Sequence, residues 1–247
     1  MNRIFYLAFF YLMLGGTTLF GAAFDEANRQ YGSGNFSGAA AAYEKILTND
    51  GSRAAVYYNL GNSYQSLKKN GLAILAYERA RLLKPRDPDL LANLALARKA
   101  VASFEETGVY PRLEAAITYL SRDEWSWLLA GAALFLGVVI FVYGLVRIPR
   151  RIFYFTASFT GAAGLLILTS AAVLYLRRAE SGRGIVLYEN ATVRLSPFEK
   201  AESLGTPGVG KWVRLGAKNG NFQYVEVIGT SLQGWLADKD VAAIVPE

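Results

Sequence analysis

The sequence predicts a multidomain chain in which all-α helical repeats, two transmembrane α-helices and a small C-terminal all-β barrel follow one another. Three observations carry this. Large and small residues recur at helical spacing between Ala54 and Pro85 and echo thirty-four residues earlier. No charged residue interrupts Trp125 to Val146 or Ile152 to Leu176. Beyond Gly184 the apolar residues alternate with polar ones, the period of a half-buried strand.

In the repeat region Tyr57, Leu60 and Tyr64 form the inner stripe of one helix, and Ala73, Tyr77 and Ala80 form the answering stripe of a second. Gly61 lets the two approach, and Pro85 ends the second by removing a backbone donor. This spacing resembles the tetratricopeptide (TPR) family, a helix-turn-helix of thirty-four residues. One such unit cannot bury its own apolar face. A first copy is expected from Phe24 to Arg53, where Ala39, Tyr43 and Ile46 match Ala73, Tyr77 and Ala80, with Tyr31, Gly34 and Phe36 around the inter-helix turn. A capping helix is expected from Pro88 to Ala100, where Leu91, Leu94 and Ala95 match Tyr57, Leu60 and Gly61. The resemblance spans residues 24–100.

Before it, residues 1–23 read as a secretory signal. A short apolar run follows Arg3, and Gly21-Ala22-Ala23 offers the small residues of a cleavage site, with an uncleaved anchor as the alternative. After it come a juxtamembrane linker (101–124), transmembrane helices at 125–146 and 152–176, and a turn at 147–151. Trp125, Trp127, Tyr143, Tyr154 and Tyr175 stand near the helix ends, where interfacial aromatics are favoured. The turn Arg147-Ile148-Pro149-Arg150-Arg151 is basic, so it is expected on the cytoplasmic side with both flanking regions exported. In a bacterium this places the chain in the inner membrane, its N- and C-terminal domains periplasmic. Ala130, Ala133, Gly137 and Gly144, with Ala157, Gly161 and Gly164, form small-residue faces, read as packing the hairpin on itself or on a second membrane protein.

Composition narrows the function. Of 247 residues, 53% are apolar, and 26 basic against 20 acidic residues leave a net charge of +6. The charge is dispersed, with eleven basic and seven acidic residues in 24–100 and nine and eight in 177–247, so no nucleic-acid-binding stripe is present. The chain has no histidine and no cysteine, which removes the commonest general base, zinc ligands and thiol nucleophile. Asp25-Glu26, Glu105-Glu106 and Asp123-Glu124 are adjacent in sequence and would not face each other on a helix. No catalytic, cofactor or metal site is expected.

A binding role fits better. The TPR resemblance implies a concave face lined by the first helices, here by Asn28, Tyr31, Tyr58, Asn62 and Gln65. Asn28 and Asn62 are thirty-four apart, as are Asp25, Asn59 and Asn93, which makes a ladder able to hydrogen-bond a peptide backbone. Helix capping and solvent exposure are the competing reading. Phe24 stands where carboxylate-clamping members carry a lysine, and with Tyr58 it points to a more apolar ligand.

The region 177–247 holds short strands at Ile185 to Tyr188, Trp212 to Leu215, Phe222 to Ile228 and Leu232 to Leu236, then a closing Val241 to Val245. With Gly234-Trp235 before the last turn, it resembles a bacterial SH3 domain. In that family the tryptophan supports the barrel or lines a shallow groove, so Tyr224 and Trp235 are the candidate groove residues.

Signal, TPR unit, half-repeat Asn93 to Arg98, membrane hairpin and terminal barrel, in this order, resemble the BatE proteins of the Bat (Bacteroides aerotolerance) group. The resemblance implies a non-catalytic scaffold working beside a MoxR-type ATPase and von Willebrand factor A membrane proteins in envelope stress tolerance. The alternative is an envelope anchor whose barrel binds cell-wall peptide or glycan.

Overall fold

The computed structural model describes residues 20–103, 111–145 and 149–246. Most of the predicted signal, the 104–110 stretch of the linker, Val146 at the end of the first expected transmembrane helix, residues 147–148 of the turn and residue 247 lie outside them. Eight α-helices and seven strands are present among the described residues, in two compact units. One joins the N-terminal helices to the C-terminal strands, and the other contains the two long apolar helices.

In the first unit, α1 (residues 20–32), α2 (Phe36–Asp50), α3 (Ala54–Ser66), α4 (Asn70–Leu83) and α5 (Pro88–Ala100) pack as successive antiparallel neighbours. Asn35 caps α2 by accepting from Gly38 N, and Asp87 caps α5 by accepting from Leu90 N, with Pro88 in the first turn. Helix α1 runs without a break through the cleavage site expected between Ala23 and Phe24.

The chain leaves α1, α3 and α5 by the same turn. The amides of Asn35, Lys69 and Ser103 each donate 2.9 Å to the carbonyl five residues back, on Gln30, Tyr64 and Arg98. The residue before each amide is left-handed: Gly34 at φ 81°, Lys68 at 58° and Ala102 at 50°. This closure recurs every thirty-four residues, in step with the side-chain pattern. Gly61 is also where it must be, because a Cβ there would lie 2.5 Å from the Tyr77 ring.

The seven strands form an antiparallel sheet in the order β3-β2-β6-β5-β4-β1-β7. They span Arg183–Val186 (β1), Val193–Arg194 (β2), Ser203–Gly205 (β3), Trp212–Asn219 (β4), Phe222–Val227 (β5), Gln233–Ala237 (β6) and Val241–Ala243 (β7). Strands β2 and β3 were not read from the sequence. Both are very short, and the bulge between Val193 and Arg194 breaks the alternation that would have marked them.

Alternation along three strands divides their side chains between two cores. Val186, Val213 and Val241 enter the sheet's own cluster. Ile185, Trp212 and Ala242, each one residue away, enter the cluster of the helices. The helices and the sheet therefore share a core, whereas the sequence reading separates them at a linker. Arg79 ties the two together, donating from Nη2 to the Ala243 carbonyl (2.8 Å) and from Nε to that of Ile244 (3.3 Å). The backbones approach so closely that a Cβ on Gly71 would lie 2.2 Å from the Leu187 oxygen.

In the second unit, α6 (Pro111–Thr118) occupies what the sequence assigns to linker, and α7 (Arg122–Leu145) and α8 (Arg150–Leu176) pack as a hairpin. Both are long and apolar enough to cross a membrane, with mean hydropathies of 2.5 and 1.9. At 1.5 Å per residue the 24-residue α7 is about 36 Å long, beyond the ~30 Å of a bilayer core. Leu134, Ile140, Phe141, Leu145, Leu165 and Leu168 point away from protein.

Helix α7 opens on a capping box in which Glu124 N donates to Ser121 Oγ and Ser121 N to Glu124 Oε2. The hairpin is pinned at both ends. Tyr143 and Thr156 share a hydroxyl contact, and Arg177 Nη1 donates to the Leu120 carbonyl at 2.8 Å. The seam uses Ala132, Ala163 and Ser170. The glycines expected to make it do not: a Cβ on Gly137, Gly144, Gly161 or Gly164 would meet nothing within 4 Å. Small residues recur along these helices, but their spacing alone does not say which face meets a neighbour.

Candidate functional site

The groove residues named from the sequence are brought together, and they are bonded to one another. Asn28 Oδ1 accepts from Tyr43 Oη (2.6 Å) and Asn59 Nδ2 (3.0 Å). Thirty-four residues on, Asn62 Oδ1 accepts from Tyr77 Oη (2.7 Å) and Asn93 Nδ2 (3.0 Å). Tyr77 Oη also lies 2.7 Å from Gln65 Oε1, and its single proton is shared between the two acceptors. Asn93 Nδ2 donates to Tyr58 Oη at 2.9 Å as well.

Each asparagine pair thus stitches one first helix to the next, α1 to α3 and α3 to α5, while a tyrosine from the intervening second helix closes the triangle. The polar stripe is a girder of the repeat, and part of its hydrogen-bonding capacity is spent internally. What faces outward is the remainder: half-buried Asn, Gln and Tyr side chains in a row, with exposed Asp25 in the same register.

Burial sets the state of the tyrosines. It pushes the hydroxyls of Tyr43, Tyr64 and Tyr77 above their ordinary value, Tyr64 further because it donates to the Glu44 carboxylate. They remain neutral donors at any physiological pH.

Two of the expected lining residues turn inward. Phe24 packs on Phe20 and Tyr43 at centroid distances of 5.8 and 6.0 Å and joins the helical core. Tyr31 stacks edge-on against Phe36 at 5.3 Å. Phe24 is therefore partly buried, and much of its ring is spent on the core rather than left for a ligand.

On the sheet, an open groove of about 730 Å³ is lined by Leu195, Leu204, Pro207, Tyr224, Leu232 and Gly234, among others. Tyr224 reaches it. Trp235 does not line it but meets Tyr224 edge to face at 5.5 Å, paired with it across β5 and β6.

The sequence reading missed a charged cluster where the sheet meets the helices. Glu78 is 1% exposed and bonded to Arg98 and to Arg81, the latter at 2.9 Å. The guanidinium carbons of Arg81, Arg98 and Arg183 lie 5.9, 5.8 and 5.4 Å from the Trp212 ring. Burial lowers the pKa of Arg79, whose guanidinium lies over the Tyr57 ring. A signal was present: Glu78-Arg79 and Arg81 interrupt an apolar helix, and Arg98 stands where the repeat has Tyr64.

Compared with protein-family models and with curated proteins, the chain matches none.

Proposed function

We propose that this chain is a membrane-tethered, non-catalytic adaptor of TPR and SH3-like architecture. It would be exported to the periplasmic side of a bacterial inner membrane, where the helical groove holds a protein partner. The observation that carries the TPR reading is the turn closure recurring every thirty-four residues at Asn35, Lys69 and Ser103, in phase with the two Asn-Tyr-Asn triangles. The two long apolar helices favour the membrane tether.

The partner class follows from the Bat resemblance: a von Willebrand factor A membrane protein of a MoxR-linked system. The spare amide and carbonyl groups of Asn28, Asn59, Asn62, Gln65 and Asn93 suit an extended backbone laid along the row, and Tyr58 adds an aromatic edge. Because the helices and sheet share a core, the adaptor presents one composite body, and any gain from linked binding comes from its tether to the membrane.

The groove around Tyr224 favours a second reading, in which the sheet binds cell-wall peptide or glycan. Photocrosslinking in intact cells separates the two. A photoreactive residue at exposed Asp25, in register with Asn59 and Asn93, is expected to capture a von Willebrand factor A protein. Asp25 is preferred to Tyr58, whose hydroxyl accepts a bond from Asn93. Capture of wall material from a probe at Leu232, with nothing at Asp25, would overturn the adaptor reading and establish the wall anchor.

A further inference from the structure

Each asparagine in the helical row spends one half of its carboxamide on a neighbour and keeps the other half. Asn28 and Asn62 accept through Oδ1, which leaves their amide groups as donors, while Asn59 and Asn93 donate through Nδ2, which leaves their carbonyl oxygens as acceptors. The unspent atoms are Asn28 Nδ2, Asn59 Oδ1, Asn62 Nδ2 and Asn93 Oδ1. None is sealed inside the fold, because the buried polar side-chain atoms that lack a partner among the described residues are Ser170 Oγ and Trp212 Nε1. The four atoms open to solvent, on side chains that are half-buried and held in place.

The repeat orders them. Each thirty-four-residue interval supplies one donor and one acceptor, Asn28 with Asn59 and then Asn62 with Asn93. Tyr43 and Tyr77 aim their hydroxyl protons at Oδ1 of Asn28 and of Asn62. Turning either carboxamide over would set two amide donors against each other, at Asn59 or at Asn93.

The charges nearby select among ligands. Helix α3, which carries Asn59, Asn62 and Gln65, has no charged residue. The one cation in residues 20–32, Arg29, is paired with Glu26, and Asp25 stands in register with the two acceptors. A carboxylate is acceptor-only. Laid on this row it would meet Asn59 Oδ1, Asn93 Oδ1 and the Asp25 carboxylate with no cation to hold it. A peptide backbone carries one donor and one acceptor per residue, and an extended segment presents both along its edge.

We propose that the row reads an internal, extended segment of the partner protein through that segment's backbone and rejects a chain end presenting a free carboxylate. This rests on the adaptor reading above and narrows its ligand. The asparagine pairs are then strut and reader at once: the bonds that join the first helices also fix which atom each side chain shows to the partner.

Two phage-displayed libraries of short random peptides serve as probes against the full chain in lipid nanodiscs, one closed on both sides by constant glycine-serine sequence and one ending in a free carboxylate. The closed library is expected to enrich. A selected peptide, made with acetylated and amidated ends, should bind about tenfold more weakly to Asn28→Asp and to Asn62→Asp, because each substitution keeps the oxygen that its tyrosine bonds and replaces the outward donor with an acceptor. Circular dichroism should not change. Thr48→Asp, which adds the same charge at an exposed position of α2, should bind like the unsubstituted chain. N-methylation of one set of alternate peptide amides should remove binding. Enrichment of the carboxylate-ended library alone overturns the proposal and leaves the adaptor groove standing. So does binding that Asn62→Asp weakens no more than Thr48→Asp does. Failure of both libraries overturns it together with the peptide-holding groove of the adaptor reading.

Discussion

At the scale of single residues, the tyrosine-asparagine triangles make the sharpest predictions. Tyr77→Phe removes the donor shared by Asn62 and Gln65 while keeping the ring that packs on Gly61. It should cost about 1 kcal/mol in urea unfolding at pH 8, the net worth of a neutral hydrogen bond. Tyr43→Phe, its counterpart in the earlier triangle, should cost a similar amount. The pH dependence has a definite sign. Folding raises the pKa of Tyr43, Tyr64 and Tyr77, so the folded state holds these protons more tightly than the unfolded chain does. Their contribution is fully present below the unfolded value of about 10 and is lost as pH rises above it. The urea midpoint should fall between pH 9 and 11, less steeply in Tyr77→Phe. The backbone approach at Gly71 is a separate test. Gly71→Ala drives a methyl into the Leu187 carbonyl and should cost about 1–3 kcal/mol, whereas Gly32→Ala, with open space around it, should be neutral or slightly stabilising.

At the scale of elements, the hairpin of α7 and α8 should tolerate bulk where its glycines are and resist it where its alanines meet. Gly137→Leu and Gly161→Leu should leave the hairpin assembled, while Ala163→Phe should splay it, as reported by a spin-label distance between the two helices. This reverses the expectation from sequence, and the reason is physical: glycine and alanine spacing marks a narrow face without marking its neighbour. Where spacing couples to a larger partner, the sequence was legible. Leu94 and Pro88 placed α5 at Pro88–Ala100, as observed, and Tyr57, Gly61 and Tyr77 placed the α3-α4 pair. The candidate site was legible as a set of positions, but the bonds its residues make to one another were not. The thirty-four-residue interval located Asn28, Asn59, Asn62 and Asn93, but an interval cannot show that an asparagine thirty-one residues away is the nearest acceptor.

At the scale of the whole molecule, the helices of residues 20–103 and the strands of residues 183–246 should melt as one cooperative body. Ile185→Ala, made in the sheet, removes a buried side chain from the helical cluster. It should cost about 2–5 kcal/mol and reduce hydrogen-exchange protection at Leu75, Ala76 and Tyr77 in α4. Independent modules would leave those amides unchanged. The order of the parts along the chain could be read from composition, yet their union could not, because the residues that join them lie more than a hundred positions apart. One trace was visible. Ile185-Val186-Leu187 is an unbroken apolar run, the mark of a strand buried on both faces, and the two cores on either side of β1 account for it.

That shared core also sets a timetable for the nascent chain. The helices of residues 20–103 leave the ribosome first, and the strands that cover Ile74 and Leu75 come only after residues 104–182 have been made, roughly 4–16 s later at ~5–20 residues per second. Throughout that interval, while the two long apolar helices among the described residues are also emerging, the early helices lack the strand residues that share their cluster. Their core is complete only when Ile185, Trp212 and Ala242, in the last sixty-odd residues, have been added.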